Sequence, residues 1–216
     1  MEARRRVDKG ELSPLWIVSA EQTQGKGRLG RNWVSGVGNF YGTLIWPTRA
    51  VQSSLSQLSF VASLAVHATA SNFAESNRIS LKWPNDCLLD GAKFCGILSE
   101  VLNQGCVAIG IGINVAHVPQ GLPYQAARLA NSSVDAVFEK LQLNLSKYLI
   151  IWNDAAGFAT IKALWADRCY HIGKSVRINA DRGSFIGLAP DGAMLLRLAD
   201  GKEKPVYAGD VQIEYE

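Results

Sequence analysis

The sequence predicts an α+β fold in which a mixed, mainly antiparallel sheet packs against helices and a small β-barrel follows. Three observations carry this. Four strand-like runs follow one another between Ile79 and Val115, helix-like segments lie on both sides of them, and after Gly173 only short runs between turn residues remain. Dividing 216 residues by roughly 150 per domain gives about 1.4 domains, so one substantial unit and a small appendage fit, with the division placed at 1–170 and 171–216.

The elements follow in order. Leu15-Trp16-Ile17-Val18-Ser19-Ala20 is a short β-favouring run that delivers the chain into an exposed loop, Gln22 to Asn39, rich in Gly, Arg, Gln and Asn. Phe40 to Trp46 reads as a strand stopped by Pro47. From Gln52 to Glu75 the residues Leu55, Leu58, Val61, Ala62, Ala65, Val66 and Phe73 recur near helical spacing, which predicts a helix with a buried face. Strands over Ile79–Trp83, Cys87–Leu89, Phe94–Leu102 and Cys106–Val115 then form a meander, turned at Asp90-Gly91 and at Asn103-Gln104-Gly105. Ser132-x-x-Asp135 opens a helix to Tyr148 as a variant capping box, and a further helix covers Phe158 to Arg168. Short strands after Gly173, punctuated by Gly183, Pro190-Asp191-Gly192, Asp200-Gly201 and Gly209-Asp210, make the β-barrel.

Composition narrows the function classes. Hydrophobic residues are 48% and charged residues 19%, which excludes disorder for most of the chain, and a formal charge of +3 is too small to mark a nucleic-acid binder. The cysteines, Cys87, Cys95, Cys106 and Cys169, form no C-x-x-C pair, and with His67, His117 and His171 they suggest neither a zinc site nor a disulfide framework. No apolar run is long enough to span a membrane or serve as a signal core, so a soluble, cytoplasmic protein is expected.

Four segments can carry chemistry. Gly25-Lys26-Gly27-Arg28-Leu29-Gly30-Arg31 matches G-x-G-x-x-G formally, but no helix and no acidic residue follow at the spacing a dinucleotide site needs. What survives is an anion receptor made of three cations and exposed backbone N–H groups; a solvated basic loop is the plain alternative. Lys82-Trp83-Pro84-Asn85-Asp86 sets a cation, an aromatic face, an amide and a carboxylate at a strand end, where they can meet a base or phosphates, or form a turn with Trp83 in the core. Lys93 stands where a turn re-enters an apolar strand, either aimed at an anion or solvated. In Ile109-Gly110-Ile111-Gly112-Ile113-Asn114 the alternating glycines leave one face bare, for a ligand or for a tight helix contact.

Together and in this order, these segments resemble the biotin-protein ligases, marked by a G-R-G-R-x-G-R-x-W-x-S loop, a K-W-P-N-D turn, a G-x-K-x-x-G-I-L-x-E hairpin and a G-x-G-I-N strand. Here they read Gly25 to Ser35, Lys82 to Asp86, Gly91 to Glu100 and Gly110 to Asn114. The resemblance implies a class II synthetase-like catalytic domain, an SH3-like C-terminal domain, and two half-reactions. ATP and biotin give biotinyl-5′-AMP, and biotin then passes to a lysine of a biotin carboxyl carrier protein of acetyl-CoA carboxylase or a similar carboxylase. It implies Lys93 and Arg28 as catalytic residues, and Gln22, Gly25, Lys26, Gly27, Arg28, Lys93 and Gly96 as the biotin site. Arg28, Arg31, Trp33, Lys82, Asn85, Asp86, Lys93 and Asn114 fall on the ATP side, with Mg²⁺ accompanying the nucleotide and no metal ligands assigned. Lys26 replaces the usual arginine, and Gly36 stands where proline is frequent. The family's D-S-T-N-like segment, expected about twenty residues before the loop, does not appear in this chain, and weak biotin binding is the corresponding expectation. A short form without a DNA-binding domain is implied, hence no nucleic-acid or membrane partner, with a homodimer left open. The alternatives are a lipoate-type ligase or a non-catalytic ligand-binding remnant.

Overall fold

The computed structural model describes residues 1–103 and 105–213. The Gln104 of the second hairpin turn and the last three residues of the C-terminal unit lie outside the described residues. The elements are α1 (Glu2–Asp8), β1 (Leu15–Ser19), β2 (Phe40–Pro47), α2 (Leu58–Ala70), β3 (Ile79–Lys82), β4 (Asp86–Leu89), β5 (Ala92–Val101) and β6 (Cys106–Ile113). They continue with α3 (Val134–Trp152), α4 (Phe158–Ala166), β7 (Ser175–Ile178), β8 (Asp181–Leu188), β9 (Met194–Arg197), β10 (Glu203–Val206) and β11 (Gln212–Ile213). β1 to β6 form one antiparallel sheet in the order β1-β2-β6-β5-β4-β3.

The meander is made as its turns require. Asp90 and Gly91 both take positive φ (50° and 80°), which two-residue hairpins between twisted strands demand. The long helix expected over Gln52–Glu75 is shorter. Gln52–Gln57, with three serines, is a 3-10 turn, and only Leu58–Ala70 is α-helical. Ser71 Oγ and Asn72 Nδ2 donate back to the carbonyls of His67 and Ala68, both at 2.9 Å, and end it there. The cap of α3 is Ser133, whose Oγ accepts from Ala136 N–H at 3.2 Å, whereas Ser132 Oγ turns back to the carbonyl of Leu129 at 2.6 Å. That helix runs past Tyr148 to Trp152, where Asn153 enters the left-handed region at φ 44°.

α2, α3 and α4 cover one face of the sheet. Trp83, Trp152 and Trp165 are buried there with their indole N–H groups satisfied, on the carbonyl of Gly192 at 3.3 Å, Gln57 Oε1 at 2.8 Å and Ser63 Oγ at 3.1 Å. Helix α1 was not legible in the sequence. It lays Ala3 and Val7 against Ile45, Leu102, Cys106 and Ala108 at one end of the opposite face. The C-terminal strands form a five-stranded antiparallel sheet, β10-β9-β8-β7-β11; among the described residues no pairing joins β10 to β11, so the expected barrel is not closed by them. Its Val176, Ile178, Phe185, Met194, Leu196 and Val211 belong to the same continuous core as the helices.

Candidate functional site

The register decides which residues share the face left open by the helices. Tyr41 and Thr43 of β2 pair with Gly112 and Gly110 of β6, and these pair in turn with Gly96 and Leu98 of β5. Because side chains alternate across a strand, the three glycines share one face and leave a patch of it without side chains, between Tyr41, Thr43 and Leu98. The result is a cavity of about 1030 Å³ with a glycine floor, walled by the loop after β1, the turn after β3, the start of β5 and the Gly209–Gln212 segment. The glycines therefore face a cavity and not a helix.

The loop after β1 folds over this floor as a tongue. Gly27 N–H donates to the Arg31 carbonyl at 2.7 Å and Trp33 N–H to that of Gly25 at 3.0 Å; Leu29 and Gly30, at φ 56° and 73°, make the tip. Gly25 has no room for a side chain, since a Cβ there would meet the Trp33 carbonyl, Gln22 Oε1 and Ser35 Oγ. At the tongue's return, Asn39 Oδ1 accepts from the N–H groups of Val115, Ala116 and His117 (2.8, 3.0 and 3.3 Å). Trp33 lies on the glycine floor: a Cβ on Gly112 would come within 2.7 Å of its ring, and one on Gly96 within 2.8 Å. Its buried indole N–H has no acceptor among the described residues, unlike the three core tryptophans.

Cations ring the cavity, and Lys82, Lys93, Arg28 and Arg31 are each set against a carboxylate or amide. Lys93 Nζ is 2.7 Å from Asp86 Oδ1. Lys82 and Arg31 share Asp210, at 3.3 and 3.5 Å. Burial raises the Asp210 pKa, but Lys82 and then Arg31 outweigh it and hold the carboxyl below its ordinary range. Arg28 Nη1 donates to Asn85 Oδ1 at 3.4 Å, and Asn85 Nδ2 to the Ile97 carbonyl at 2.7 Å. Burial lowers the Arg28 pKa, with Asp86 opposing the shift. The arrangement suits a ligand with two anionic groups and an apolar body, since the cations converge on a floor that lets flat or extended matter approach the backbone.

Of the expected residues, Gln22, Lys26, Gly27, Arg28, Arg31, Trp33, Lys82, Asn85, Asp86, Lys93 and Gly96 line this one cavity. Gly25 and Asn114 do not. Gly25 closes the base of the tongue, and Asn114, 4% exposed, donates from Nδ2 to the Ala127 carbonyl at 2.9 Å. Sequence reasoning missed Tyr124 and Asp210. Gly209-Asp210 read only as a turn, and Pro123-Tyr124 stands outside any recognisable pattern. Among the described residues no three His, Cys, Asp or Glu side chains come together as a metal site, and no helix is long and apolar enough to cross a membrane.

Comparison with known proteins places the chain in a family. The biotin/lipoate A/B protein ligase family model matches residues 8–114, and the biotin protein ligase C-terminal domain model matches 171–213. The biotin–acetyl-CoA-carboxylase ligase of Paracoccus denitrificans is 34% identical over 90% of this chain and 88% of its own length. The corresponding protein of Mycobacterium tuberculosis is 30% identical over 96% and 82%. Among solved structures, the biotin protein ligase of Aquifex aeolicus in complex with biotin and ATP superposes with a TM-score of 0.83 at 26% identity, covering 99% of this chain and 95% of that one. Related at 34% identity over 90% of its length to one such ligase, and matched by both family models, the chain belongs to the biotin/lipoate A/B protein ligase family.

Proposed function

We propose that the chain is a biotin-protein ligase that joins biotin to ATP as biotinyl-5′-AMP and then transfers biotin to a lysine of a biotin carboxyl carrier protein. The observation that carries the reading is the convergence of Lys26, Arg28, Arg31, Lys82 and Lys93 around a cavity floored by Gly96, Gly110 and Gly112. In the first step a carboxylate oxygen of biotin attacks the α-phosphorus, and the bond to pyrophosphate breaks. Two anions must meet, so most of the catalytic work is neutralisation and alignment. Lys93 and Arg28, which flank Asp86 and Asn85, are the groups assigned to that junction. In the second step the lysine amine of the carrier attacks the acyl carbon and AMP leaves.

Gln22, Gly25, Lys26, Gly27, Arg28, Lys93 and Gly96 are assigned to biotin. Arg28, Arg31, Trp33, Lys82, Asn85, Asp86, Lys93 and Asn114 are assigned to the nucleotide side; Gly25 on the biotin side and Asn114 on the nucleotide side act by shaping the site. Residues 1–170 are taken as the catalytic unit and 171–216 as an appended unit that contributes Asp210. Mg²⁺ would enter with ATP, held by phosphates and water with one or two of the carboxylates that line the cavity, Glu2, Glu21, Asp86, Glu100 and Asp210. When bound it supplies charge neutralisation on the phosphates.

Pyrophosphate release measured with biotin plus ATP against lipoate plus ATP tests the reading. Release with biotin alone is expected. Release with lipoate alone would move the chain to the lipoate branch, and release with neither would leave a ligand-binding remnant.

A further inference from the structure

Lys93 is held more closely than an ion pair requires. Besides Asp86, its ammonium lies 5.5 Å from the ring centre of Trp33 and 5.3 Å from that of Tyr124, with the lysine side chain only 19% exposed. Tyr124 is brought there by the segment that crosses β5. Lys93 N–H donates to the Gln125 carbonyl and Ala127 N–H to the Lys93 carbonyl, both at 2.9 Å, in a short parallel bridge. Asn114 fixes this strap from behind: its Nδ2 holds the Ala127 carbonyl, its carbonyl accepts from Leu129 N–H at 2.8 Å, and its own N–H donates to the Phe94 carbonyl at 2.8 Å.

We propose that Tyr124 is a positioning residue for Lys93, the strap over residues 122–129 presenting its ring so that Tyr124 and Trp33 hold the ammonium toward the cavity. An ammonium has three donors. Asp86 Oδ1 stands 2.7 Å away as an ion-pair partner, but off the direction of a hydrogen bond, and aromatic faces attract the cation through their quadrupoles without offering an oxygen acceptor. The ammonium N–H groups are thus kept short of acceptors, and a ligand carboxylate or phosphate entering the cavity meets a donor already oriented. An unrestrained lysine would have to give up its rotamer freedom at that moment. The role of Asn114 follows from the same geometry: buried and turned away from the cavity, it holds the strap in place.

This inference rests on the ligase reading, but one arm of its test does not. Tyr124→Phe keeps the ring, and Tyr124→Leu removes it while leaving an apolar side chain. Adenylate formation is expected to fall about tenfold in kcat for the leucine variant, equivalent to about 1.4 kcal/mol, with the KM for ATP within about twofold of wild type, and to stay near wild type for phenylalanine. Independently of activity, acetylation of Lys93 by acetic anhydride, quantified by peptide mass spectrometry against the exposed Lys202, should accelerate severalfold in the leucine variant only. Faster labelling without loss of kcat, loss of kcat without faster labelling, or a phenylalanine variant as impaired as leucine would each overturn the positioning role. If the wild-type chain makes no adenylate, the ligase reading fails, and the labelling contrast alone decides whether the ring confines Lys93.

Discussion

Gly112→Ala tests the glycine floor with a single methyl group. The added carbon would lie 2.7 Å from Cε2 and Cζ2 of Trp33 and 2.8 Å from its Nε1, where ordinary contacts are about 3.5–4.0 Å. Gly112 sits within strand β6 and not at a positive φ, so alanine strains no backbone and the clash is the whole perturbation. Overpacking in a closed core costs about 1–3 kcal/mol. Here the indole rides on a tongue held by a few backbone hydrogen bonds, so the tongue gives way, and the stability loss should stay near the lower end, about 1 kcal/mol by urea denaturation. The site absorbs the rest. A ring raised by about 1 Å drags Arg28 and Arg31 with it, and a misplacement of that size costs between about ten- and a hundredfold in adenylate formation. Gly110→Ala separates lifting the tongue from filling the floor, since the atoms nearest its methyl, the Leu98 carbonyl oxygen at 3.2 Å, Thr43 Oγ1 at 3.8 Å and Leu98 Cβ at 4.0 Å, all belong to the sheet and none to Trp33. Wild-type adenylate formation in the Gly112 variant would refute the reasoning, and a loss in Gly110→Ala as large as in Gly112→Ala would refute the part assigned to Trp33 and the tongue.

Lys93→Ala should slow adenylate formation about a hundredfold, or about 3 kcal/mol, because a cation next to developing negative charge is removed and Asp86 loses its ion-pair partner; near-wild-type pyrophosphate exchange would return Lys93 to a structural role. Asp210→Asn should raise the KM for ATP by about two- to fivefold and leave that for biotin unchanged, since Lys82 and Arg31 lose the carboxylate that holds them; a lower KM would mean that Asp210 competes with the phosphates instead. Burial, aided by Lys82 and Lys174 and opposed by Asp210, pushes the His171 pKa down to about 3; burial with Arg168 pushes that of His67 down to about 4. Both imidazoles take up protons more readily in the unfolded chain, so the stability they contribute is complete above their ordinary value of 6.5 and is lost as the pH falls through that window. Each accounts for about 1.4 kcal/mol per pH unit within it, so His171→Gln should flatten the pH dependence of urea stability between about pH 6 and 4; an unchanged slope would contradict the buried neutral imidazole.

The meander and the binding loop were legible because their signals are local. Asp90-Gly91 must turn, alternating glycines must bare a face, and cations packed among glycines must meet an anion or water. Which face the glycines bare was not legible, because it depends on the register of β2, β6 and β5 against a helix layer set by residues far along the chain. α1 escaped for a related reason. Seven residues are too few for a stripe, and its two anchors, Ala3 and Val7, become apolar contacts only once Ile45 and Ala108 are in place. Asp210 and Tyr124 reach the site from 179 and 31 positions away from Arg31 and Lys93, through packing that no spacing rule encodes. Asn114 stands in the motif, yet its side chain hydrogen-bonds the Ala127 carbonyl and does not line the cavity, a contact that its neighbours in sequence do not disclose.

The most direct measurement is transfer itself. The purified chain is incubated with ATP, Mg²⁺, biotin and an isolated biotin carboxyl carrier domain, alongside a carrier whose acceptor lysine is replaced by arginine, and covalent biotin is read by intact-mass spectrometry. The account predicts one biotin on the lysine carrier, none on the arginine carrier, and none on either without ATP. Pyrophosphate release with no modified carrier, or labelling of the arginine carrier to the same extent, would contradict it.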